Sequence, residues 1–190
     1  TTGSENQGRI LVVNLDSRTY DLTTGMLFDG NSLPSEIRFF GSSSSLLRMT
    51  AGTTLIEMRS GAPSIIFNGI KFQGRIIVDD GYLELKGCLL EGSSSQSGGG
   101  ALSLSQTARL YATATSFKRN TAAGKGGAVY MDGGSAVFET CVFTGNEAGI
   151  PSGALHVAGG SATLQKATLL TANTGAGLGW AISVDAGDVI

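Results

Sequence analysis

One histidine, His156, is the first place to look for chemistry in this 190-residue chain. It is the fourth residue of Gly153-Ala154-Leu155-His156-Val157. Similar segments surround it: Gly100-Ala101-Leu102-Ser103-Leu104, Gly127-Ala128-Val129-Tyr130-Met131 and Trp180-Ala181-Ile182-Ser183-Val184. The fourth positions, Ser103, Tyr130, His156 and Ser183, therefore form one set. An imidazole beside serines points to nucleophilic hydrolysis, which needs a hydroxyl, a base and an orienting acid. The set holds the first two and no acid, so it yields no catalytic assignment. Carboxylates stand at Asp79, Asp80, Asp132, Asp185 and Asp188. Clustered, they would suit calcium binding or polysaccharide cleavage. Asp80 and Asp132 each precede glycine, which reads first as turn chemistry. The repeat offsets put Asp79, Asp132 and Asp185 in one row, with Ser105 and Ala158 between them. Carboxylates two repeats apart are too loose for a metal, at roughly 10 Å. One histidine and two well-separated cysteines make no zinc set. No metal or cofactor is expected.

The elements that carry these residues follow from the spacing. The four segments are 27, 26 and 27 residues apart. A second motif precedes each: Cys88-Leu89-Leu90-Glu91-Gly92-Ser93, Thr115-Ser116-Phe117-Lys118-Arg119-Asn120, Cys141-Val142-Phe143-Thr144-Gly145-Asn146 and Thr168-Leu169-Leu170-Thr171-Ala172-Asn173. A fixed period of this size means one unit stacked on itself. Within each segment positions three and five are apolar, a period of two that turns position four away from the core. Asp80-Gly81, Asp132-Gly133-Gly134 and Gly159-Gly160 read as turns between short strands. No helical periodicity interrupts them. The pattern predicts an all-β fold, a single-stranded right-handed parallel β-helix, in one domain over 1–190 with regular coils from about 81 to 184.

Stacking turns matched positions into ladders about 4.8 Å per step. Leu90, Phe117, Phe143 and Leu170 should form a buried ladder. Ser93, Asn120, Asn146 and Asn173 should form a second one at a bend, since asparagine tolerates left-handed backbone and can hydrogen-bond its stacked neighbours. Gly99, Gly126, Ser152 and Gly179, just before each strand, suit a tight bend. Cys88 and Cys141 fall two coils apart, roughly 10 Å between Cα atoms, too far for a disulfide. Both thiols are expected free and inward. Before Gly81 the register is looser. Phe72 to Leu90 is only 18 residues, a coil with minimal loops.

Net charge is −2 and the basic residues are scattered, which excludes a nucleic-acid footprint. No apolar run is long enough to span a bilayer. The sequence stops just after a strand of the repeat, which predicts further coils or a partner capping that end.

Gly126-Gly127-Ala128-Val129 with Phe117-Lys118-Arg119-Asn120 and Phe143-Thr144-Gly145-Asn146 resembles the repeat signature of the polymorphic outer-membrane proteins, autotransporter-like adhesins with a β-helical passenger. Ser152-Gly153-Ala154-Leu155 and Leu170-Thr171-Ala172-Asn173 are degenerate copies. Similar repeats occur in pectin-lyase-like proteins. The resemblance, over about Gly81 to Val184, implies an extracellular or cell-surface, structural or adhesive module that is not catalytic. Its partner would be a protein or a surface glycan, with end-to-end or edge assembly open to it. The alternative is a carbohydrate-binding or carbohydrate-cleaving β-helix, favoured by a groove with clustered acids and aromatics. The row Ser103, Tyr130, His156 and Ser183 is expected to face solvent beside the small Ala101, Ala128, Ala154 and Ala181. It is then either the docking strip or an ordinary solvated sheet face.

Overall fold

The computed structural model describes residues 8–30, 34–50, 52–150, 153–176 and 181–190. Ser152, Gly179 and Trp180 lie outside them. Among the described residues every element is a strand, and every pairing is parallel. Three sheets run along the stack, and each is built from strands of successive turns. The protein is a parallel β-helix, as the period requires.

The second sheet carries the strands Lys71–Gln73, Leu89–Glu91, Ser116–Lys118, Val142–Thr144 and Leu169–Thr171, stacked in that order. Its central residues pair in register: Phe72 with Leu90, Leu90 with Phe117, Phe117 with Phe143, Phe143 with Leu170. The Phe72–Leu90 pair is the short 18-residue coil, closed with minimal loops. Coils of the same kind continue below it, through Leu46–Arg48 to Thr19–Asp21. The looser register before Gly81 hid them: the third sheet begins only at Ser94–Ser95, so the bend that marks later repeats is missing.

The first sheet departs from the sequence-based expectation at its glycines. Asp132-Gly133-Gly134 and Gly159-Gly160 do not end strands. They lie inside the continuous strands Val129–Glu139 and Leu155–Gln165, and the register shifts there. Gly134 has φ +71°, and a Cβ on it would sit 2.3 Å from the Ala108 carbonyl oxygen. Glycine lets the strand kink there without leaving its partner. The shift sets Asp132 opposite Gly159 rather than Ala158. Asp79 meets Ser105, whose hydroxyl donates to its carboxylate at 2.7 Å.

The bends carry the second ladder. Asn146 Oδ1 accepts from the Asn120 amide and from Asn120 Nδ2, both at 3.0 Å, and Asn173 Oδ1 receives the same pair from Asn146. Ser93 joins by donating its amide to Asn120 Oδ1. The stacked amides are as expected, but the left-handed backbone is not at the asparagines. It belongs to the residue before each ladder position: Gly92, Arg119, Gly145 and Ala172. A second left-handed file, Gly87, Ala114, Thr140 and Lys166, turns the chain between the first two sheets. Thr140, at φ +54°, is exposed and β-branched, so its side chain strains the backbone and packs little. Thr140→Gly is expected to raise stability by about 1 kcal/mol, read as an upward shift of the urea midpoint at constant slope.

Cys88 and Cys141 are free and buried. They alternate with Thr115 and Thr168 in one file, and each side chain donates back to a carbonyl of the preceding coil: Phe67 at 3.4 Å, Leu85 at 3.2 Å, Ala112 at 3.3 Å and Phe138 at 2.9 Å in file order. Burial pushes both thiols up to about 11.

Candidate functional site

The strand register brings the four predicted residues into one row. Ser103 stands opposite Tyr130, Tyr130 opposite His156, and His156 opposite Ser183. Below Ser103 the row continues through Ile77, Glu57 and Leu27. The stacked spacing lays the Tyr130 and His156 rings parallel, 5.5 Å apart and 5° from coplanar.

The expected exposure is corrected. His156 is fully buried, and Ser103, Tyr130 and Ser183 are only partly open. Nor do the alanines form a flat outer strip, because Ala101, Ala128 and Ala154 are buried. The cause is the glycine-rich loop that leads into each strand. A Cβ on Gly98 would lie 2.7 Å from the Tyr130 ring, and one on Gly126 would lie 3.3 Å from the His156 amide. The loops press against the row, and only glycine allows that approach.

Around His156 the structure assembles more than the row. Its Nδ1 lies 2.5 Å from Ser183 Oγ. Its Nε2 lies 3.3 Å from Asp185 Oδ2, within ion-pair distance but out of line for a hydrogen bond. Lys125 Nζ donates to that same Asp185 oxygen. Burial, and then Lys125, hold the imidazole below its ordinary value, while Asp185 pulls the other way. Near pH 7 the ring is therefore neutral. The hydrogen bond from Lys125 keeps the Asp185 carboxyl below the usual carboxylate range.

Asp185 and Lys125 are the residues that reading along the row missed. Asp185 is two residues beyond Ser183, on the same face of the strand. Its reach is diagonal, to the coil below. Lys125 stands in the loop, where no strand pattern signals a direction.

Two other surfaces carry charge and aromatics. On the first sheet Glu84 stands opposite Tyr111 and is almost wholly covered, with Lys86 Nζ 2.7 Å away. Tyr82 flanks it, pushed up to about 12 by burial first and by Glu84 second. Tyr111 Oη donates to Glu139 at 2.6 Å. On the second sheet a shallow hollow of about 400 Å³ is lined by Lys71, Gln73, Glu91 and Arg119.

No family model, curated protein or solved structure matches the chain. Its likeness to outer-membrane adhesin repeats therefore rests on the motifs alone.

Proposed function

We propose that this β-helix is a structural, adhesive module of an extracellular or cell-surface protein, docking a protein partner through its coils. The observation that supports this reading is the state of an outer strand. On the strand Ile10–Asn14, Ile10, Leu11 and Val12 are each about half exposed (52, 48 and 51%). Leu11 stands opposite Ile37, so it continues the inward file of Ile37, Ile65 and Leu83. Half-covered core aliphatics on an outer strand offer a partner's parallel strand both pairing and burial. Sedimentation velocity on the purified chain tests this. Association that rises with concentration and is abolished by Leu11→Lys is the expected result. A chain that stays monomeric at high concentration would sink the axial-docking reading.

The second reading is glycan binding, supported by Tyr82 and Tyr111. Partly open tyrosines on neighbouring strands offer stacking faces to a sugar. That reading requires that Tyr111→Ala lose whatever oligosaccharide binding a glycan array detects for the parent.

A further inference from the structure

The cluster at His156 goes beyond a scaffold, and its chemistry does not depend on the adhesive reading. We propose that Ser183 is an activated nucleophile, with His156 as its base and Asp185 as the carboxylate that stabilises the imidazole as it gains charge, and that it accepts acyl groups from activated carboxylic esters.

The geometry supplies three roles. Ser183 Oγ is 2.5 Å from His156 Nδ1, within reach for proton transfer. His156 Nε2 faces Asp185 Oδ2 at 3.3 Å, and as the ring charges this carboxylate stabilises it. The ring is held on its remaining side by Tyr130, stacked parallel to it. A histidine that only filled space would not need both nitrogens set against polar groups. Nε2 is nonetheless buried and lacks a hydrogen-bond partner. That arrangement is costly in a resting fold and useful if the nitrogen gains charge during a reaction. Burial and Lys125 keep the ring neutral near pH 7, so it can take a proton. Ser183 itself remains partly open to solvent.

The step balances. Ser183 Oγ attacks the ester carbonyl carbon while its proton passes to His156 Nδ1. The carbon–oxygen bond to the leaving group breaks, and the departing oxygen takes the proton back from His156. The product is O-acyl-Ser183 and an alcohol or phenol. Water, activated by the same nitrogen, then releases the carboxylic acid and restores the hydroxyl.

The same surroundings limit the substrate. Lys125, the cation beside the pair, is tied to Asp185 and so is not free to hold a tetrahedral oxyanion. Without that stabilisation, commonly worth 10²–10³-fold or about 3 kcal/mol, the leaving group must be a good one. Aryl esters fit this requirement and simple amides do not.

The test uses the folded chain with a fluorophosphonate probe and with 4-nitrophenyl acetate, followed by peptide mass mapping. Ser183 should label on the order of 10²-fold faster than the chain's other serines, the low end for a positioned base. Asp185→Asn, at a half-exposed position, should fold and slow the labelling about tenfold. His156→Gln should reduce it to the background of the other serines. His156 is buried, so heat-unfolded parent protein serves as a second control and should label uniformly. The rate should be level at neutral pH and fall only in acid, below the ordinary imidazole range, as the imidazole gains its proton. Labelling of Ser183 no faster than other serines in the native protein overturns the proposal. So does fast labelling that Asp185→Asn leaves untouched, or a rate that climbs steadily with hydroxide.

Discussion

Phe143→Ala should lower the folding free energy by about 3–5 kcal/mol. Phe143 is fully buried in the middle of the second sheet's ladder. Its ring stacks on Phe117 at 4.6 Å and 5°, and meets Phe138 edge-on at 5.2 Å. Removing it takes contacts from both neighbours at once. The hole cannot close, because the coils on either side are fixed by their own ladders: Val142 N donates to Thr115 O, and Leu169 N to Cys141 O. A site that cannot collapse keeps the full cavity cost. Phe143→Leu should be much milder, about 1 kcal/mol, since Leu90 and Leu170 fill the same position in their own coils. Urea unfolding of the two variants side by side checks this. An alanine variant that melts with the parent would remove Phe143 from the core.

Asn146→Ala is expected to cost about 3 kcal/mol. From the sequence, the lost ladder hydrogen bonds are expected to cost about 1–2 kcal/mol. The structure raises the figure. Asn146 is fully buried and its carboxamide serves both neighbouring coils. Its oxygen accepts from the Asn120 amide and Asn120 Nδ2, while its Nδ2 donates to Phe117 O and Asn173 Oδ1. Alanine leaves the Asn120 backbone amide and the Phe117 carbonyl without their side-chain partner inside the core. A buried polar group stripped of its partner costs about 1–3 kcal/mol, and two are exposed to that loss here. Asn146→Asp keeps one acceptor but sets a second, charged oxygen against the Phe117 carbonyl and Asn173 Oδ1 inside the core, so at neutral pH it should cost at least as much as alanine. Hydrogen exchange of the Asn120 amide gives a direct reading. It should become fast in Asn146→Ala and stay slow in the parent.

Much of this architecture was legible in the order of residues. A step of 26 or 27 residues can be met only by stacking, and stacking forces every matched position into a file. The Phe117–Phe143 ladder, the asparagine ladder and the two unpaired cysteines follow from that one constraint. So does the row Ser103, Tyr130, His156 and Ser183, because strand alternation and coil period together fix a residue's face and its neighbours. The bulges at Gly133-Gly134 and Gly159-Gly160 were not legible. A glycine pair signals only that the backbone is unusual, and whether it turns out of a sheet or kinks within it depends on the strand beside it.

What the sequence by itself determined is therefore periodic: fold class, register and the membership of each ladder. What only the tertiary structure decided is aperiodic. How far the loops cover His156 depends on their path across the row, which strand alternation does not register. Asp185 reaches the imidazole diagonally from the next coil, and Lys125 reaches Asp185 from a loop. A repeat specifies neighbours along the stack at every position at once. It does not specify side chains that cross between files, whose reach depends on rotamers and loop paths that differ from coil to coil.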